Sequence, residues 1–330
     1  MNKYLGHPSQ ISGVEEVSLL RGKGKGMTLL EVRNGLGLEL TFSADRVMDI
    51  SRVTLCGANY GFFSPCGYVA PAYYDKDGFG FLKSFTAGFL TTCGFGNLGA
   101  PCTDDGEALP QHGTLANIPC DNYSYTEDDD AIIINATARD TTLFGHHYIF
   151  TRQFTISKKC NTVKIHDVVE NPCCHNEPCM MLYHFNIGYP LLSENAKLYF
   201  PYNNVYARSE HAKKYIDTCL ELEKPQPEYP ERCYFYDIKD TNGIANVGIY
   251  NPDIKKGLKM TYDKNVLSEF VEWKMMGEGE YVLGMEPANA TPSGRPAIRE
   301  QGKLKTLAPG EKYTVDITLL FSENEEDIKA

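Results

Sequence analysis

Apolar and polar residues alternate with a period of two along much of this chain. Leu36, Leu38, Leu40 and Phe42 are interleaved with Gly37, Glu39 and Thr41. The same rhythm runs through Tyr148, Phe150, Arg152, Phe154 and Ile156, through Val163, Ile165, Asp167 and Val169, and through Tyr313, Val315, Ile317, Leu319 and Phe321. Such alternation predicts half-buried strands. AIIINATA (131–138) and the more continuously apolar CMMLYHFNIGYPLL (179–192) predict two more, and further strands are expected at 27–32, 197–200, 245–250, 257–262 and 269–275. Helical periodicity is scarce, with one short helix expected at 209–216. Many strands joined by Gly/Pro turns point to an all-β fold, a single large antiparallel β-sandwich over 1–330. No linker, composition break or repeat divides the chain.

Two regions depart from the pattern. Residues 1–26 are polar and Gly-rich and read as an N-terminal extension, with the basic run RGKGKG (21–26) as an edge loop that lacks phosphate-loop spacing. Residues 51–125 are rich in Gly, Pro, Tyr and Phe but poor in periodicity. A long irregular stretch within a compact domain is ordinarily functional or covers something.

Composition narrows the partners. The net charge of -11 argues against nucleic acid or an anionic membrane. No window approaches the roughly 20 apolar residues of a spanning helix, and the start shows no secretory signal. Eleven irregularly spaced cysteines then read as reduced thiols, and a cytoplasmic location is expected.

The candidate chemistry gathers around one carboxylate. The apolar run Tyr281–Met285 stops at Glu286, with Pro287 next and a loop of Asn289, Thr291, Pro292, Ser293, Gly294 and Arg295 beyond. This reads as a buried strand delivering Glu286 at its end. His112, in QHG, and His184, in the apolar strand LYHFNIGYP, are the matching imidazoles. A lone histidine on an apolar strand is ordinarily a hydrogen-bonded core residue, but a histidine with a carboxylate is what proton transfer near neutral pH requires. Cys173, Cys174, His175 and Cys179 form the one metal-like cluster. Adjacent cysteines fit poorly around a tetrahedral zinc and no second pair completes the set, so no metal is expected. His146 and His147 are strand neighbours that face opposite ways. Cys93 is expected to be packing rather than a nucleophile.

DRVMDI, GFLTTCG, LPQHGTLANIP, LYHFNIGYP and LGMEPANATPSGR, in that order over nearly the whole chain, resemble the galactose mutarotase-like superfamily. More narrowly, they resemble the branch known as aldose 1-epimerase family protein, long a domain of unknown function. The resemblance implies a supersandwich fold, a monosaccharide or related small carbohydrate as ligand, and no cofactor. It implies Glu286 as the base that deprotonates the anomeric hydroxyl, His184 as the acid at the ring oxygen, and His112 as a hydroxyl ligand. The asparagine and arginine that usually precede the first histidine are missing from 85–111. Arg46 or Arg295 is expected to replace that arginine, Asp237 to hold distal hydroxyls, and Asn289 to join the site. A non-catalytic sugar sensor and an epimerase of a phosphorylated or unusual sugar are the alternatives.

Overall fold

The computed structural model describes residues 3–329. Three antiparallel sheets carry the architecture. One has five strands in the order Gly13–Ser18, Thr28–Arg33, Leu38–Ser43, Asp49–Leu55, Ala58–Asn59. The largest runs Asn122–Glu127, Ala131–Thr141, His147–Ser157, Thr162–Glu170, Lys312–Ser322, Lys256–Asp263, Ile244–Asn251, Lys197–Tyr199, with Asp240–Thr241 attached to its side. The third runs Tyr202–Ala207, Arg232–Ile238, Glu269–Gly277, Glu280–Ala288, Met180–Ile187, Leu90–Phe95. The large antiparallel β-sandwich expected from the alternation is therefore present.

The inward residues of all three sheets meet in one core. Phe42 of the first packs on Phe154 of the second at 4.7 Å, and Phe95 of the third stacks on Tyr148 of the second at 4.6 Å. The C-terminal strand Lys312–Ser322 is inserted between Thr162–Glu170 and Lys256–Asp263, so Ile317 pairs with Ile165 on one side and Tyr262 on the other.

Some boundaries differ from the sequence reading. Within the N-terminal extension, Gly13–Ser18 pairs with Thr28–Arg33 as an edge strand, and RGKGKG makes a single 3-10 turn at Gly22–Gly24. The short helix is cut to Glu210–Lys213, where the Ser209 hydroxyl accepts the Ala212 N–H, followed by a separate 3-10 turn at Ile216–Thr218. The strand leading to Glu286 does not stop there. It continues to Ala288, with Glu286 opposite Val271 and Pro287 opposite Phe270. Pairing to strands on both sides holds the backbone extended through the proline.

Two core positions carry charge. Arg152 and Asp167 face each other across neighbouring strands, where the alternation demands apolar residues. The Arg152 guanidinium donates to both Asp167 oxygens (2.9 and 2.7 Å), to Asp49 Oδ1 (2.7 Å) and to Thr92 Oγ1 (2.8 Å). The Tyr183 hydroxyl donates to Asp167 Oδ2 at 2.8 Å. This network ties all three sheets together directly behind His184, whose chain neighbour is Tyr183. Every partner is buried, so each charge depends on the others.

Candidate functional site

Strand register builds the site. Leu182 pairs with Ala288 and Phe185 with Met285, which sets His184 opposite Glu286 on adjacent strands. Pro287 has no N–H to give, and the ladder is open between those two pairs. On its other side His184 pairs with Thr91. Trp273 and Cys233 are also paired across neighbouring strands and lie in the same pocket as Glu286.

Loops close the pocket above this sheet face. The irregular region 51–125 contributes Phe79, Phe81, Leu82, Phe85, Gly99, Ala100, Gln111 and His112. His112 sits at φ 55°, and its N–H and C=O bond to Gly99 and Gly94 at 2.9 Å each. Gly113 follows at φ 73°, where a Cβ would lie 2.3 Å from the Gly94 carbonyl, so only glycine lets this turn press onto the strand Leu90–Phe95. The opposite wall is Arg208, Glu231 and Trp273. The Trp273 indole donates to Glu231 Oε2 at 2.9 Å, and Arg208 Nη1 lies 3.6 Å from Glu231 Oε1. The cavity is about 260 Å³, just under the roughly 300–1,000 Å³ of drug-sized ligand sites.

At the floor, His184 Nε2 lies 3.1 Å from Glu286 Oε1, with 5% and 2% of these residues exposed. No aligned hydrogen bond joins them, since Glu286 Oε1 has no partner. Burial pushes Glu286 up to about 8, against the pull of Arg208. Burial, with His112 nearby, pushes His184 down to about 3. Burial and Arg208 hold His112 at about 4. Burial thus pushes both groups toward their uncharged forms, the carboxyl upward and the imidazole downward. Three aromatic rings surround His184: Phe85 at 5.4 Å, Trp273 at 5.5 Å and His112 at 5.9 Å. They supply the low-polarity surroundings behind these shifts.

The structure brings together His184, Glu286 and His112, and parts them from the other four expected residues. Arg46 lies outside this pocket. Its guanidinium is spent on the carbonyls of Val69, Ser84 and Ala116 and on Asn117 Oδ1. Arg295 donates to Asp104 and Glu107 at 2.6 Å each and lines a different cavity. Asp237 is held by Lys264 at 2.6 Å and Asn203 at 3.2 Å beside a separate hollow. Asn289 clamps backbone, accepting from the Met181 N–H at 2.8 Å and donating to the Cys179 carbonyl at 2.9 Å.

Arg208, Glu231, Gln111 and Trp273 are the pocket residues the sequence reading missed. Only Trp273 carried a signal, as the one tryptophan of the chain. Cys233 on the floor and buried Cys93 both have thiols raised well above the usual range by burial, which suits packing. Among the described residues, the one group of three potential metal ligands lies elsewhere, at Cys173, His175 and Glu177. No described helix is long and apolar enough to cross a membrane.

The family described as "Domain of unknown function (DUF4432)" matches residues 24–320. No curated protein matches the chain. Solved structures share the fold. A Klebsiella pneumoniae protein, described provisionally as an aldose 1-epimerase, superposes with a TM-score of 0.90 at 24% identity, covering 96% of this chain and 84% of that one. A galactose mutarotase-like protein of Clostridium acetobutylicum gives 0.69 at 14% identity over 95% and 99% of the two chains. The galactose 1-epimerase of Lactobacillus acidophilus gives 0.62 at 13% identity over 94% and 99%. The architecture is that of the galactose mutarotase-like proteins.

Proposed function

We propose that this chain, which belongs to the family described as "Domain of unknown function (DUF4432)", is a sugar isomerase of the aldose 1-epimerase type. One observation carries the reading. Four buried polar atoms without a partner, His184 Nδ1, Glu286 Oε1, His112 Nδ1 and Gln111 Oε1, all belong to residues of the same small pocket. An unmet buried polar atom costs about 1–3 kcal/mol. The same cavity is walled by Arg208, Glu231 and Trp273, a polar and aromatic lining that suits a ligand with several hydroxyl groups, and the small volume suits a monosaccharide rather than a polymer.

Glu286 and His184 then share one proton. With the proton on His184, Glu286 removes the anomeric hydroxyl proton as His184 protonates the ring oxygen. The C1–O5 bond breaks and a carbonyl forms at C1. Rotation about C1–C2 turns the other carbonyl face to the ring hydroxyl. With the proton on Glu286, the resting arrangement, His184 takes the proton of that hydroxyl as it attacks, and Glu286 protonates the carbonyl oxygen. The pair ends each half-reaction in the state the reverse half needs, and the atoms balance without a cofactor. His112, Gln111 and Arg208 are placed to hold hydroxyls, and Trp273 offers an apolar ring face. The eleven free thiols support a reducing, cytoplasmic setting.

The test is exchange NMR on a panel of free and phosphorylated aldoses and ketoses. Anomeric exchange faster for one sugar, and lost in Glu286→Gln, supports the isomerase. Excitation of Trp273 gives an independent binding signal. Binding without faster exchange overturns the isomerase in favour of a sugar sensor.

A further inference from the structure

A second and larger cavity, about 770 Å³, lies beside the candidate site, with the segment 96–114 contributing to both. His175 and Glu177 are in its wall. Together with Cys173 they bring a thiol sulfur, an imidazole nitrogen and a carboxylate oxygen within 4.8 Å of one another.

The surroundings hold these groups in place. Asn171 is fully buried; its Oδ1 accepts the Cys173 N–H at 2.9 Å, and its amide donates to the carbonyls of His175 and Leu307 at 2.8 Å each. One side chain thus fixes the backbone of two of the three residues. Glu177 is buried at the start of Glu177–Pro178, which pairs with Thr306–Leu307. Its two oxygens are oriented separately, Oε1 by His175 Nε2 at 2.8 Å and Oε2 by the Tyr148 hydroxyl at 3.3 Å.

Sulfur, nitrogen and oxygen donors in one set suit a borderline-soft divalent cation and disfavour magnesium or calcium. Zinc bonds of roughly 2.0–2.3 Å put tetrahedral ligand atoms about 3.3–3.8 Å apart. Exposed His175 has the freedom to close the remaining gap. The set differs from the cluster noted in the sequence: Cys174 and Cys179 drop out, and Glu177 enters. We propose that Cys173, His175 and Glu177 form a three-ligand site for a zinc-type divalent cation, with its fourth position open to the second cavity. Binding exchanges the Cys173 thiol proton for the metal, releases that proton to solvent, and replaces the His175–Glu177 hydrogen bond. Three protein ligands and one open position is the pattern of a metal that takes a ligand, as distinct from a closed four-ligand structural site.

The experiment uses the full chain, stripped with a chelator and titrated with cobalt(II) alone, then with zinc. One equivalent of cobalt should give a near-ultraviolet thiolate charge-transfer band and visible d–d bands, both removed by zinc. The charge-transfer band should vanish in Cys173→Ser and persist in Cys174→Ser. Cobalt affinity should fall at least about tenfold in His175→Ala, whose exposed side chain can be removed without disturbing the core. That variant carries the test if Cys173→Ser fails to fold by circular dichroism. No cobalt spectrum, a band that survives Cys173→Ser, or unchanged affinity in His175→Ala would overturn the site. None of these readouts depends on sugar turnover.

Discussion

Gly284 stands two residues before Glu286 on the same face of one strand, and a Cβ there would lie 2.3 Å from Glu286 Oε1. A glycine inside a strand commonly marks a close approach, and here the space it leaves is filled by the carboxyl group. Gly284→Ala should therefore displace Glu286 from His184 while the sheet persists. The expected result is a cost of about 1–3 kcal/mol in urea denaturation and a loss of exchange activity on the order of 100-fold. Full activity in a folded Gly284→Ala protein would separate Glu286 from the chemistry.

The titration of the pair sets a pH signature for stability. Glu286 ordinarily titrates at 4.5 and is raised to about 8. Its stabilising contribution is complete below 4.5 and is lost as pH rises through about 8. His184, depressed from 6.5 to about 3, contributes fully above 6.5 and loses that contribution as pH falls through about 3. Between pH 4.5 and 8 the Tm of the wild type should thus fall relative to that of Glu286→Gln, as scanning calorimetry would show. A constant difference across the window would mean that the carboxyl is not held protonated by the fold.

Arg46 and Arg208 should behave oppositely. Arg208→Ala removes a pocket-wall cation that is partly exposed, so it should weaken sugar binding, read by Trp273 fluorescence, with little change in Tm. Arg46→Met strands the carbonyls of Val69, Ser84 and Ala116 in the interior and should cost several kcal/mol, about 1–3 for each acceptor left unmet. Equal effects of the two variants on binding would contradict the division of roles.

Arg152 is the test of the buried network. Its removal leaves Asp49 and Asp167 buried without the cation they share, and Asp49 is already raised by burial. Arg152→Met should cost about 3–5 kcal/mol in equilibrium denaturation. Restoring part of that stability in the double variant Arg152→Met, Asp167→Asn would identify the unpaired carboxylates as the cause.

What was legible in the sequence was local. Alternation in Leu38–Phe42, Tyr148–Ile156 and Tyr313–Phe321 marks strands because side-chain direction reverses at each residue, whatever lies across the sheet. Glu286, His184 and His112 stood out because each interrupts an apolar or glycine-bound stretch. Only the tertiary structure decided which side chains share a cavity. Arg46 and Arg295 look in sequence like ligand clamps, but burial obliges each guanidinium to find acceptors nearby, and those acceptors turned out to be carbonyls and carboxylates outside the pocket. Arg208 and Glu231, which do line it, follow one strand and precede another with no periodic mark. The register of Leu182 on Ala288 brings His184 within 3.1 Å of a residue 102 positions along the chain (286 − 184). Sheet pairing is non-local: a strand's sequence states what it buries, and the fold states whom it faces.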